Sequence, residues 1–66
     1  MKVTVNGEPR EVAASATVAQ LIRQVTDQVT GLAVAVNGEV VPRRTWPATA
    51  LADGDQVEVV TAVQGG

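Results

Sequence analysis

Val3-Thr4-Val5-Asn6-Gly7-Glu8 returns almost unchanged as Val34-Ala35-Val36-Asn37-Gly38-Glu39, and what lies between the two copies decides the fold. In each copy β-branched residues alternate with other side chains, as a pleated surface requires. Each then reaches Asn-Gly, the pair best able to occupy both positive-φ positions of a type I′ turn. Lys2–Val5 and Glu8–Val12 therefore read as one hairpin, with Pro9 near the start of the returning strand, where a missing N–H does least harm. Leu32–Val36 and Glu39–Val41 read as a second hairpin, ended by Pro42. The likeness is similar turn chemistry used twice, not a duplicated domain.

Between the hairpins the period changes. Val18, Leu21, Ile22, Val25 and Val29 fall at helical spacing on one face, with Arg23, Gln24, Asp27 and Gln28 on the others. Thr17 with Gln20 matches a capping box, Ser15 is a competing N-cap, and Gly31 fits a left-handed C-cap. The spacing predicts an amphipathic helix from about Thr17 to Thr30.

Arg43 to Leu51 reads as irregular, since Trp46-Pro47 argues against a long helix there. Asp53-Gly54-Asp55 is a turn, and Gln56–Val63 is a last strand with Val57 and Val59 facing one way and Glu58 and Val60 the other. A helix with one apolar face needs a sheet to cover, so the fold class is α+β in two layers. Hairpin partners pair antiparallel and strands joined through the helix cross over, which gives a mixed sheet. The expected arrangement is a β-grasp (ubiquitin-like) fold, four to five strands on one helix. Its core is expected to hold Val3, Val5, Leu21, Ile22, Val25, Val34, Val36, Leu51, Val57 and Val59. Residues 1–63 would form the domain and residues 64–66 a flexible C-terminal tail.

Composition excludes much. A chain of 66 residues allows one small domain. It has no cysteine and no histidine, which removes thiolate metal sites, the usual general base and the commonest metal ligand. A net charge of −2 has the wrong sign for gripping nucleic acid, and Arg43-Arg44 is a pair rather than a patch. The N-terminus lacks the apolar core of a signal peptide and no stretch is long enough to span a bilayer, so the expected location is cytoplasmic.

Candidate chemistry is thin. Asp53 and Asp55 resemble a paired acid/base site, but two acids around a glycine before a strand are turn formers far more often. Glu8 and Glu11 sit where charge protects a sheet edge. Ser15 and the threonines have no histidine to activate them. Trp46 is the single aromatic residue; it either covers one end of the core or stands exposed as a binding anchor. The terminal Gly65-Gly66 is harder to explain as packing, because glycine costs conformational entropy to order. Two residues without Cβ atoms can thread a channel too narrow for other side chains and deliver a main-chain carboxylate. No enzyme is expected, and no bound cofactor or metal.

Taken together, Val41-Pro42-Arg43-x-x-Trp46, Leu51-x-Asp53-Gly54-Asp55-x-Val57-Glu58-Val59-Val60 and the terminal Gly65-Gly66 resemble the ThiS family, sulfur carriers of thiamine biosynthesis, along the whole chain. The Asp-Gly-Asp turn and the diglycine are shared with the molybdopterin-synthase small subunit; the Val-Pro-Arg-x-x-Trp segment is more like ThiS. The last strand is less aromatic than the family pattern. The resemblance implies that an E1-like adenylyltransferase (ThiF) uses Mg-ATP to adenylate the Gly66 carboxylate. Sulfur from a persulfide, supplied through a cysteine desulfurase, then replaces AMP, and thiazole synthase (ThiG) takes it from the Gly66 thiocarboxylate. By the same analogy Gly66 carries the sulfur, while Gln64 and Gly65 form the threading tail. Ala33, Ala35, Val60 and Ala62, with Arg43, are the candidate docking residues. The alternatives are a carrier for molybdopterin or cysteine synthesis, a ubiquitin-like protein modifier and a plain interaction module.

Overall fold

The computed structural model describes residues 1–26 and 31–61. Strands β1 (Lys2–Val5) and β2 (Glu8–Glu11) form the first hairpin, α1 (Val18–Val25) follows, and β3 (Leu32–Val36) and β4 (Glu39–Val41) form the second. A 3₁₀ segment, Arg43–Ala48, leads to β5 (Gln56–Thr61). The sheet order is β2-β1-β5-β3-β4, with β5 parallel to β1 and antiparallel to β3. The last strand thus sits at the centre, and the two hairpins that resemble each other in sequence flank it. This is the expected mixed-sheet β-grasp architecture.

Both Asn-Gly turns adopt the expected backbone. Asn6 and Gly7 have φ of 50° and 85°, and Asn37 and Gly38 have 52° and 85°, the positive-φ pairs of type I′ turns. A two-residue loop fixes register. Val5 stands opposite Glu8, and Val36 opposite Glu39. Beyond β2, Met1 and Val12 exchange main-chain hydrogen bonds at 2.8 Å, which continues the first hairpin past its assigned strands.

One face of the sheet carries Val3, Val5, Val34 and Val57 into the core, where Val18, Leu21 and Ile22 of α1 meet them. All ten expected core residues are buried or packed against the buried cluster, and Val12, Ala16, Val18 and Trp46 join them. Trp46 is buried, so the core-covering role holds and the exposed-anchor role does not. Its indole N–H donates to the Val41 carbonyl at 2.9 Å, and Arg43 lies over its ring at 5.7 Å. Among the described residues no buried side-chain polar atom lacks a partner. No helix among them is long and apolar enough to cross a membrane.

The helix starts as expected and ends early. Thr17 caps it, its hydroxyl accepting from the Gln20 N–H at 3.3 Å while Gln20 Oε1 accepts from the Thr17 N–H at 2.9 Å. The Thr17–Thr30 expectation is too long, however, because Thr26 is already extended and its N–H closes the last turn on the Ile22 carbonyl. Val25-Thr26 is a β-branched pair, and such side chains lose χ1 freedom in a helix. Gly31 does have a positive φ of 77°, but it lies past this end and is not the helix cap. Val29 lies outside the described residues, as do Ala62 and Val63 at the end of the expected last strand.

The stretch expected to be irregular contains a 3₁₀ helix, with Thr45 N–H on the Pro42 carbonyl at 2.9 Å. Short i→i+3 turns tolerate Pro47, which a longer α-helix would not. The chain after it is tied to the start of α1: the Val18 N–H meets the Thr49 carbonyl and the Leu51 N–H the Ala16 carbonyl.

Candidate functional site: the open sheet face and the end of strand β5

Side chains alternate across a strand, so the residues that do not enter the core line the other face of the sheet. Register places Ala33 beside Val60 and Ala35 between Val40 and Glu58. Strands lie about 4.8 Å apart, so the row Val40–Ala35–Glu58 spans about 10 Å. Val40 is 76% exposed and Val60 58%, the two large apolar side chains left open among the described residues. The small side chains of Ala33 and Ala35 between them leave the face shallow. Three expected docking residues therefore share one face. Arg43 belongs to the 3₁₀ segment instead, over Trp46. Ala62, Gln64, Gly65 and Gly66 lie outside the described residues.

Val40 was not among the expected docking residues. Its place was readable, since a two-residue Asn37-Gly38 loop sets 36 opposite 39 and hence 35 opposite 40.

Asp53 and Asp55 hold backbone, as turn formers do. Asp53 Oδ1 accepts the Lys2 N–H at 2.9 Å. Asp55 Oδ2 accepts the Ala52 N–H at 2.7 Å, and its Oδ1 accepts from Asn37 Nδ2 at 2.9 Å. Gly54, with φ 86°, donates its N–H to the Lys2 carbonyl. The Asp-Gly-Asp turn thus fastens the start of β5 to β1 and to the second hairpin turn. The two carboxylates are committed to structure, not converged on a substrate.

The Asn6 side chain also does more than turn the chain. Its Oδ1 accepts the Val59 N–H at 2.9 Å and its Nδ2 donates to the Val59 carbonyl at 3.0 Å. On the helix side, an open groove of about 320 Å³ is lined by Thr17, Ala19, Gln20, Arg23 and Pro47. Arg23 is its single charge, and the Thr17 hydroxyl is occupied by the helix cap. No group of three or more acidic residues suited to a metal ion occurs among the described residues.

The chain matches the ThiS family model over residues 3–66. The sulfur carrier protein ThiS of Escherichia coli (strain K12) is 33% identical over 66 residues, the full length of both chains. A thiazole synthase of Paramagnetospirillum magneticum is 38% identical over 66 residues, which are all of this chain and 20% of that protein. The crystal structure of a thiamine biosynthesis protein (ThiS) from Geobacter metallireducens superposes with a TM-score of 0.86 at 39% identity, covering both chains fully. This chain belongs to the ThiS family and is a sulfur carrier, not a catalyst, of thiamine biosynthesis.

Proposed function

We propose that the sulfur travels on the main-chain carboxylate of Gly66. A carboxylate is a poor acceptor until its oxygen becomes a leaving group. An E1-like, ThiF-like adenylyltransferase would attack the α-phosphorus of Mg-ATP with that oxygen, giving the Gly66 acyl-adenylate and pyrophosphate. The terminal sulfur of a persulfide, loaded by a cysteine desulfurase, would then displace AMP. The acyl disulfide so formed yields the Gly66 thiocarboxylate when a thiol takes the other sulfur into a new disulfide. No side chain of this protein enters these steps, which suits a chain without histidine or cysteine.

The observation that carries this reading is the extent of the family match, which runs through residue 66 and so includes Gly65-Gly66. The likeness to a thiazole synthase supports a ThiG-like enzyme as the acceptor, because carrier-like sequence there shares a chain with the synthase. The face of Ala33, Ala35, Val40 and Val60 is the proposed docking surface. Small apolar side chains let a partner's surface approach closely, and exposed apolar area there gains from being covered. The cytoplasm, which holds ATP and reduced thiols, is the compartment that goes with this chemistry.

The test is intact mass after incubation with ATP, the cognate E1-like enzyme and a sulfur donor. Replacement of one oxygen by sulfur, lost on deleting Gly66, is expected. No shift with an enzyme shown to be active would sink the carrier chemistry at Gly66.

A further inference from the structure

We propose that Asn6 is a positioning residue, its side-chain amide clamping β5 at Val59 and so holding the root of the segment that ends in Gly66. This rests on the reading that Gly66 is the delivered group.

Main-chain pairing between β1 and β5 is short. It matches Thr4 with Gln56 and Val5 with Val57, and the Asn6 N–H reaches the Val57 carbonyl at 2.9 Å. The chain then turns away at Asn6-Gly7. The next N–H and carbonyl on that flank of β5 belong to Val59, and no main-chain group of β1 remains to meet them. The Asn6 side chain supplies the missing peptide. Its primary amide has the donor and acceptor of a peptide group, and at φ 50° it meets both groups of Val59 at 3.0 and 2.9 Å. On the other flank β3 pairs with β5 as far as Leu32 opposite Thr61. β5 at Val59 therefore has Asn6 on one flank and β3 on the other, where it would otherwise lose its parallel neighbour.

Turn chemistry alone does not demand this residue. Glycine and aspartate also suit the first position of a type I′ turn. Asparagine alone of the three has both the donor and the acceptor that Val59 uses. Asn37 holds the same place in the other hairpin, but its Oδ1 accepts the Gln56 N–H at 3.0 Å, at the opposite end of β5. The two asparagines thus pin the central strand at Gln56 and at Val59, and the Asn6 pin is the one nearer the C-terminus in sequence.

The paired variants Asn6→Gly and Asn37→Gly separate positioning from stability, because each keeps a turn glycine can adopt and removes one side chain. Amide hydrogen exchange in the ¹⁵N-labelled protein should show Val59 exchanging about tenfold faster in Asn6→Gly than in Asn37→Gly. Asn6→Asp keeps the acceptor, so the Val59 N–H should stay protected while its carbonyl loses a donor. Under conditions where all variants are folded, kcat/KM for adenylation by the cognate enzyme should fall several-fold in Asn6→Gly and stay near wild type in Asn37→Gly. Equal Val59 exchange in the two glycine variants would overturn the clamp. Faster exchange with equal adenylation would overturn its positioning role. A wild-type protein that an active enzyme fails to adenylate would instead sink the Gly66 chemistry, and the exchange measurement would still decide the clamp.

Discussion

Asn37 donates its side-chain N–H to Asp55 Oδ1 at 2.9 Å, so the second hairpin turn rests on a carboxylate whose other oxygen holds the Ala52 N–H. The contact joins two short turns far apart in sequence and sets the end of β3 against the start of β5. Asn37→Asp keeps the turn geometry and turns this hydrogen bond into two facing carboxylates. It should cost about 1–3 kcal/mol at neutral pH, by loss of the bond and like-charge repulsion. Urea unfolding at pH 7 checks the size.

Leu21 is one of the largest fully buried side chains of the helix. It is completely buried, as are Val18 and Ile22, and it faces the valines of β1, β3 and β5. Leu21→Ala should cost about 2–5 kcal/mol. A 66-residue domain has a total stability of roughly 3–10 kcal/mol, so the variant should lose a large share of it. Circular dichroism through a urea titration reads the shift in midpoint.

Trp46→Phe tests how the core is closed at the end of β4. The ring stays buried, but the indole N–H no longer reaches the Val41 carbonyl. A cost of about 1 kcal/mol is expected for the lost hydrogen bond. A further small loss follows from weakening the Arg43 contact with the ring, since tryptophan gives the strongest cation–π face. The variant has no tryptophan or tyrosine left, so unfolding must be followed by circular dichroism.

The architecture was legible because the two periods are clean and each Asn-Gly loop fixes its register locally. Alternation at Val3/Val5, Val34/Val36 and Val57/Val59 assigned the core face, and the same alternation left Ala33, Ala35 and Val60 opposite. The helix end was not legible, because apolar spacing continued to Val29 while Thr26, a β-branched residue, had already left helical geometry. Roles played by side chains across long sequence separations were also hidden. Asn6 and Asn37 read as turn residues, and only the sheet order brings Val59 and Gln56 alongside them. Trp46 offered two readings that only burial separates.

Val60→Asp bears on the docking face. Val60 lies opposite Ala33 and is 58% exposed, so the substitution removes only part of a side chain's buried area. Fold stability should fall by about 1 kcal/mol, which leaves the protein folded, because aspartate is also disfavoured in a strand. A charge forced into a desolvated contact costs much more when nothing opposite pairs with it. If partners cover this face, affinity for the E1-like enzyme should fall tenfold or more, about 1.4 kcal/mol. Thr4→Asp is the matched control. Thr4 lies on the same open side of the sheet on β1, opposite Gln56 and away from the β3 alanines. Calorimetric titration of both variants decides the matter: a selective loss in Val60→Asp places the contact on β3 and β5, whereas unchanged binding would remove this face from the docking surface.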